Sequence, residues 1–191
     1  VGMNGQEIYA ESRGRFAGYD WPQYAAHRGN FHMALYERFR RLAGDDAIRL
    51  GCRVAGYKVD ESGSVSVHVE TPSGGENIAA KVLVGADGIH SAIRAQMHPY
   101  HPPIHWGAAV MWRGTTIAKP IRTRSSFIGL GTHRQRMVIY PISHPDPETG
   151  LALINWIAEV TYDDPSARET TGWFNRVGLD DFIHYFEDCS Y

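Results

Sequence analysis

The run Val82-Leu83-Val84-Gly85-Ala86-Asp87-Gly88-Ile89-His90-Ser91-Ala92-Ile93-Arg94 constrains this chain more than any other stretch. Three successive apolar residues predict a short strand covered on both faces. Gly85 and Ala86 end it with small side chains, so another backbone or a ligand can come close. Asp87-Gly88 then turns the chain, and Ser91 predicts the start of a helix. Free backbone N–H groups at such a start form an anion site. Asp87 adds a carboxylate acceptor suited to a ribose hydroxyl. Arg94, one turn into the helix, brings a forked guanidinium for either Asp87 or a phosphate.

Around this run the hydrophobic pattern is mixed. A short strand is expected over Glu7–Ala10. Phe31, Leu35, Phe39 and Leu42 recur at helical spacing after Arg28, and Gly44 stops the run. Strand-like runs follow at Ile48–Leu50, Val54–Val59 and Val65–Glu70, with Asp60–Gly63 and Pro72–Gly75 as turns. Val65, Val67 and Val69 alternate with polar residues, as in a half-buried antiparallel strand. The proline-rich stretch His98–Pro103 marks a domain boundary, giving domains 1–98 and 99–191. Beyond it, Gly107–Thr115, Ser126–Leu130, Arg136–Pro141 and Leu151–Val160 predict one mostly antiparallel sheet. An amphipathic helix is expected over Asp180–Phe186.

The thirteen-residue run resembles the DG motif of the FAD-dependent aromatic-ring monooxygenases that include p-hydroxybenzoate and salicylate hydroxylases. There too an apolar strand leads through Gly-Ala-Asp-Gly to Ser and Arg on the next helix. Tyr24–Asn30, with its His27-Arg28 pair, looks like the family's entry to its helix. Met111–Gly114 and Tyr140–Ser143 fall where the substrate-domain strands are expected. The resemblance implies an α/β fold with an α+β substrate domain. The first part is a partial FAD/NAD(P)-binding domain of the glutathione-reductase-like type, and the second a substrate sheet. It also implies FAD as cofactor, NAD(P)H and dioxygen as co-substrates and a small aromatic substrate. By correspondence, Arg28, Val54, Asp87, Gly88 and Arg94 approach FAD. Met111, Arg113, Tyr140 and Asn155 are candidates for lining the substrate pocket, with Met111 and Arg113 on one face of their strand. The family's glycine-rich GxGxxG turn and its later Gly-Asp segment are absent, so the chain reads as an internal piece of a protein about twice as long. No catalytic base is identified. The alternative is a non-catalytic remnant or interaction module that keeps the sheet without binding flavin.

Composition bounds the remaining classes. With 43% hydrophobic and 21% charged residues the chain can bury a core, and a net charge of -2 argues against a phosphate-backbone binder. No apolar run is long enough to span a bilayer. Two isolated cysteines, Cys52 and Cys189, predict neither a disulfide framework nor a zinc site, and a reduced, cytoplasmic setting follows. His98, His101 and His105 are spaced among prolines with no acidic neighbour, so a surface loop is expected rather than a metal site. Ser91 lies outside any Gly-x-Ser-x-Gly elbow. Trp106, Trp112, Trp156 and Trp173 are expected mostly in cores.

Overall fold

The computed structural model describes residues 1–2, 4–164 and 175–189; Trp173 lies outside them. The chain divides into two compact units, Leu35–His105 and Val1–Ala34 with Trp106–Tyr191. Helix α1 (Arg28–Ala43) crosses the division in sequence.

The 35–105 unit is built on a three-stranded antiparallel sheet in the order β1 (Arg53–Val59), β2 (Val65–Thr71), β3 (Gly74–Ala80). The Val65/Val67/Val69 alternation is realised on β2, where Val67 and Val69 are buried and the residues between them exposed. Asp60 closes the β1–β2 turn by accepting from the backbone N–H groups of Ser62 and Ser64, both at 2.9 Å. Helix α2 (Ala92–Met97) docks on β1 through one side chain. Gln96 accepts from the Tyr57 N–H at 2.9 Å and donates to the Tyr57 carbonyl at 2.6 Å. Its amide thus stands in for one rung of a missing neighbour strand. Gly56 leaves the space this approach needs, since a Cβ there would lie 2.8 Å from the Gln96 carbonyl oxygen.

The second unit carries a four-stranded antiparallel sheet in the order β4 (Ala109–Ala118), β7 (Ala152–Thr161), β6 (Gln135–Pro141), β5 (Ile128–Gly131). All four expected strands form within a few residues of their predicted bounds. One face is the core. Trp112, Ala158 and Val160 pack there with Phe182 and Phe186, which come from the single 3-10 turns flanking residue 182. Trp112 stacks on Phe182 at 5.3 Å and Trp156 does so at 5.9 Å. Gly114 is the socket for Trp156, because a Cβ at 114 would run into the indole.

Several expectations fail for physical reasons. Glu7–Ala10 and Ile48–Leu50 are irregular, and Val82–Val84 is not a covered strand. Val82 and Val84 are 74% and 78% exposed, with no strand beside them among the described residues. A strand needs a partner, and composition cannot supply one. Conversely, β3 was hidden by its residues, Gly-Gly-Glu-Asn-Ile-Ala-Ala, which carry one β-branched side chain; β2 imposes the pairing on it. Residues 180–186 form 3-10 turns rather than an α-helix. The apolar stripe of α1 is helical as expected, yet Phe31, Leu35, Phe39 and Leu42 all remain exposed.

The Gly114 socket makes a prediction. Gly114→Ala should destabilise the sheet by about 1–3 kcal/mol through overpacking, and adding Trp156→Leu should recover part of the loss. Thermal melts of both variants read this; an unchanged melting temperature in Gly114→Ala would contradict the packing described.

Candidate functional site

Two groups of residues were expected to carry function, and they fall in different places. The first centres on Asp87. Its carboxylate accepts from the Ser91 hydroxyl at 2.5 Å and from the backbone N–H groups of Ala92 at 2.7 Å and Ile93 at 3.3 Å. The Ser91 hydroxyl oxygen accepts in turn from the Arg94 N–H at 2.9 Å. The first N–H groups of α2 are therefore capped from within, and the free anion site expected at this helix start is not there. These bonds lower the Asp87 pKa below its ordinary value, the Ser91 hydroxyl contributing most and the backbone donors after it. Arg94 does not reach Asp87. Its guanidinium donates to the Ile89 carbonyl and braces the turn.

What the turn leaves open is the space at Gly88. Gly88 has φ +79°, a left-handed conformation that favours glycine, and a Cβ there would meet nothing within 4 Å. Gly85 is small for another reason, since Ile93 of α2 packs 3.0 Å from where its Cβ would be. Val54 sits half-buried on β1 opposite Val69. Arg28 opens α1, where His27 accepts from the Asn30 N–H at 3.3 Å; Arg28 itself is exposed, with no ion pair or hydrogen bond among the described residues.

The second group lies on the sheet face opposite the Trp112 core. Register fixes its layout. Met111, Glu159 and Arg136 form one row across β4, β7 and β6. Arg113, Ile157 and Val138 form the next, extended on β5 by Gly129. Thr115, Asn155 and Tyr140 form the third. All four expected substrate residues, Met111, Arg113, Tyr140 and Asn155, thus share one face. Glu159 is buried and paired with Arg136. Arg113 is exposed and takes part in no ion pair or hydrogen bond among the described residues. The Asn155 amide nitrogen is buried without an acceptor. Tyr140 stacks against Phe127 at 5.0 Å, a neighbour that sequence reasoning missed because it depends on the pairing of β5 with β6. Glu159, Arg136, Val138, Ile157 and Gly129 were missed too; only the pairing of β6 with β7 reveals that they share this face.

An apolar cleft of about 370 Å³ lies on the other face, lined by Thr116, Ile139, Ile154, Trp156, Phe182 and Ile183. Lys119, Ser126 and the edge of Tyr140 also line it, but its exposed surface is overwhelmingly apolar and it continues the core. Trp106 donates to the Ala109 carbonyl at 3.0 Å, Trp112 is buried and Trp156 half-buried, so these three serve structure. Among the described residues no cluster of His, Cys, Asp and Glu is placed to hold a metal, and no helix is long and apolar enough to cross a membrane.

No family model matches the chain. Individual proteins do. It is 35% identical to a phenazine 1,6-dicarboxylic acid hydroxylase of Lysobacter antibioticus over 98% of this chain and 47% of that protein. It is 33% identical to an aurachin C monooxygenase/isomerase of Stigmatella aurantiaca over 49% of this chain and 22% of that one. In structure it resembles a salicylate hydroxylase substrate complex, with TM-score 0.59 and 19% identity over 85% of this chain and 41% of the other; that likeness concerns the fold. The chain spans less than half the length of each of these relatives. Near-complete coverage of this chain at 35% identity makes it similar to an aromatic-acid hydroxylase, on a fold shared with a salicylate hydroxylase.

Proposed function

We propose that the chain contributes one side of an FAD site and the substrate sheet of a monooxygenase. That enzyme hydroxylates a small aromatic molecule with NAD(P)H and dioxygen. The observation that carries the reading is the placement of Met111, Arg113, Tyr140 and Asn155 on one open sheet face, away from the core. The likeness to the phenazine 1,6-dicarboxylic acid hydroxylase supports it, and so does the open space at Gly88. In this reading residues 1–98 belong to the FAD-binding domain and 99–191 to the substrate domain.

The residues at the DG turn fit a dinucleotide in a specific way. Gly88 presents bare main chain to a phosphate or ribose, Asp87 holds the turn rigid by capping α2, and Arg94 braces it at Ile89. Val54 would offer backbone groups to the adenine, and Arg28 a charge to the pyrophosphate or ribose. When bound, FAD supplies the redox and oxygen chemistry. The chain's own residues orient and shield. On the sheet face, Arg113 binds an anionic substituent, the Ile157–Val138 strip gives an apolar floor, and the Phe127–Tyr140 stack walls one side. A floor of this kind keeps water from the reacting ring.

Three outcomes follow for the full-length protein. Asp87→Ala should reduce bound flavin or slow its reduction while the sheet folds; wild-type flavin absorbance per protein together with wild-type reduction kinetics would rule out the role. The depressed carboxylate pKa makes the cap conditional on pH. Its stabilisation is present above the unfolded-state pKa, near 3.8, and is lost as pH falls below that toward the folded-state value. The gap in melting temperature between wild type and Asp87→Ala should therefore be open at neutral pH and shrink below that point; a gap independent of pH would contradict the ionic cap. Arg113→Met should raise KM for an acidic aromatic substrate about tenfold to a hundredfold, the range for a charge-assisted hydrogen bond. A lowered melting temperature with unchanged KM would make Arg113 structural instead.

A further inference from the structure

Gly56 stands in the middle of β1, where a glycine weakens the strand and packs nothing. No turn requires it, because its φ is outside the left-handed range. Beyond its chain neighbours, a Cβ at that position would come within 4 Å of one residue, Gln96. The amide oxygen would lie 2.8 Å away and the amide carbon 3.9 Å. The bare position therefore makes room for the Gln96 amide. That amide accepts from the Tyr57 N–H at 2.9 Å and donates to the Tyr57 carbonyl at 2.6 Å. Since β1 is the edge of its sheet, both groups of Tyr57 are met by a side chain in place of a strand.

The clamp joins two pieces that lie far apart in the sequence. At its start, α2 is tied to the Asp87–Gly88 turn. Asp87 caps the Ala92 and Ile93 N–H groups, and Ile93 packs over Gly85. At its end, Gln96 ties α2 to β1. Val54 lies three residues along that strand from Tyr57, about 10 Å at the usual strand rise. Between them the β1–β2 register shifts, and such an irregularity re-aims a strand. Gly88, Asp87, α2, Gln96, Tyr57 and Val54 thus form one linked series inside the 35–105 unit.

We infer that Gln96 is a positioning residue of the dinucleotide site: it sets the distance between the Val54 strand and the Asp87–Gly88 turn, and Gly56 is the recess that admits it. The inference rests on reading those two elements as the FAD contacts. Gln96 bonds to neither Val54 nor the turn; it acts through α2. A ligand that bridges strand and turn feels the spacing, because any shift of α2 along β1 carries Gly88 with it.

The test is a double-mutant cycle on the full-length protein, stripped of flavin and titrated with FAD while flavin fluorescence is followed. Gln96→Ala should weaken FAD about threefold to thirtyfold, the worth of one or two ordinary hydrogen bonds. Gly56→Ala should weaken it comparably by displacing the same amide. In the Gln96→Ala background, Gly56→Ala should change the affinity by less than about twofold, because the added methyl then has no neighbour to displace. Gln96→Glu keeps the size and the acceptor but sets a charge against the Tyr57 carbonyl, and should bind FAD no better than Gln96→Ala. Additive losses in the double variant would overturn the inference. So would wild-type FAD affinity in Gln96→Ala with a lowered melting temperature, which would make the clamp structural only. If Gln96→Ala does not fold, Gln96→Ser takes its place in the cycle and the same outcomes decide. A wild-type protein that binds no FAD ends the flavin reading and the inference with it. FAD binding that is indifferent to both substitutions ends the inference alone.

Discussion

The pairing of β4 with β7 decides what the rest of this sheet can be. Ten residue pairs run without interruption from Ala109↔Thr161 to Ala118↔Ala152. Side chains alternate with period two, so this register sends Trp112, Ala158 and Val160 inward and Met111, Arg113 and Asn155 outward. A slip of one residue would bury Arg113 and expose Trp112. The fit of Trp156 into the space above Gly114 locks that choice, because only one alignment brings the indole over the residue without a side chain. The open face is thus a consequence of how the core is packed.

The Asp87 turn follows a different economy. A six-residue helix has few bonds of its own, and its first donors are met by a carboxylate four residues before Ser91. The same charge that would suit a ribose hydroxyl is spent on holding the loop. Rigidity of the turn and openness of Gly88 then go together: a fixed main chain presents its bare backbone in one orientation. The capping bonds thus give Asp87 a positioning role in the turn.

Legibility in the sequence tracked how local the determinants were. The four strands of the second sheet announced themselves through β-branched and aromatic runs, and α1 through its spacing. The sharing of one face by Met111 and Arg113 followed from alternation along a single strand. Their meeting with Tyr140 and Asn155 did not, because it depends on register between strands distant in sequence. Strand β3 was invisible because only Ile78 among its residues favours a strand; its pairing with β2 supplies the ladder. Val82–Val84 misled in the other direction, since an apolar triplet signals a buried strand only when neighbours exist to cover it. Arg94 was expected on either Asp87 or a phosphate; its guanidinium donates instead to the Ile89 carbonyl. The run of residues 82–94 still pointed to the kind of relative the chain resembles, because a motif's order survives errors about its local bonding.

We propose that this chain belongs to an enzyme that puts oxygen from dioxygen onto an aromatic ring held at the Arg113 face. The most direct measurement is isotope tracing with the full-length protein, supplied with NAD(P)H, an aromatic carboxylate and heavy-isotope dioxygen, followed by mass spectrometry of the product. The account predicts one labelled oxygen in the hydroxylated ring and loss of that product in Arg113→Met. A product carrying oxygen from water, or no hydroxylation by a flavin-loaded protein across aromatic carboxylates of one to three rings, would contradict it.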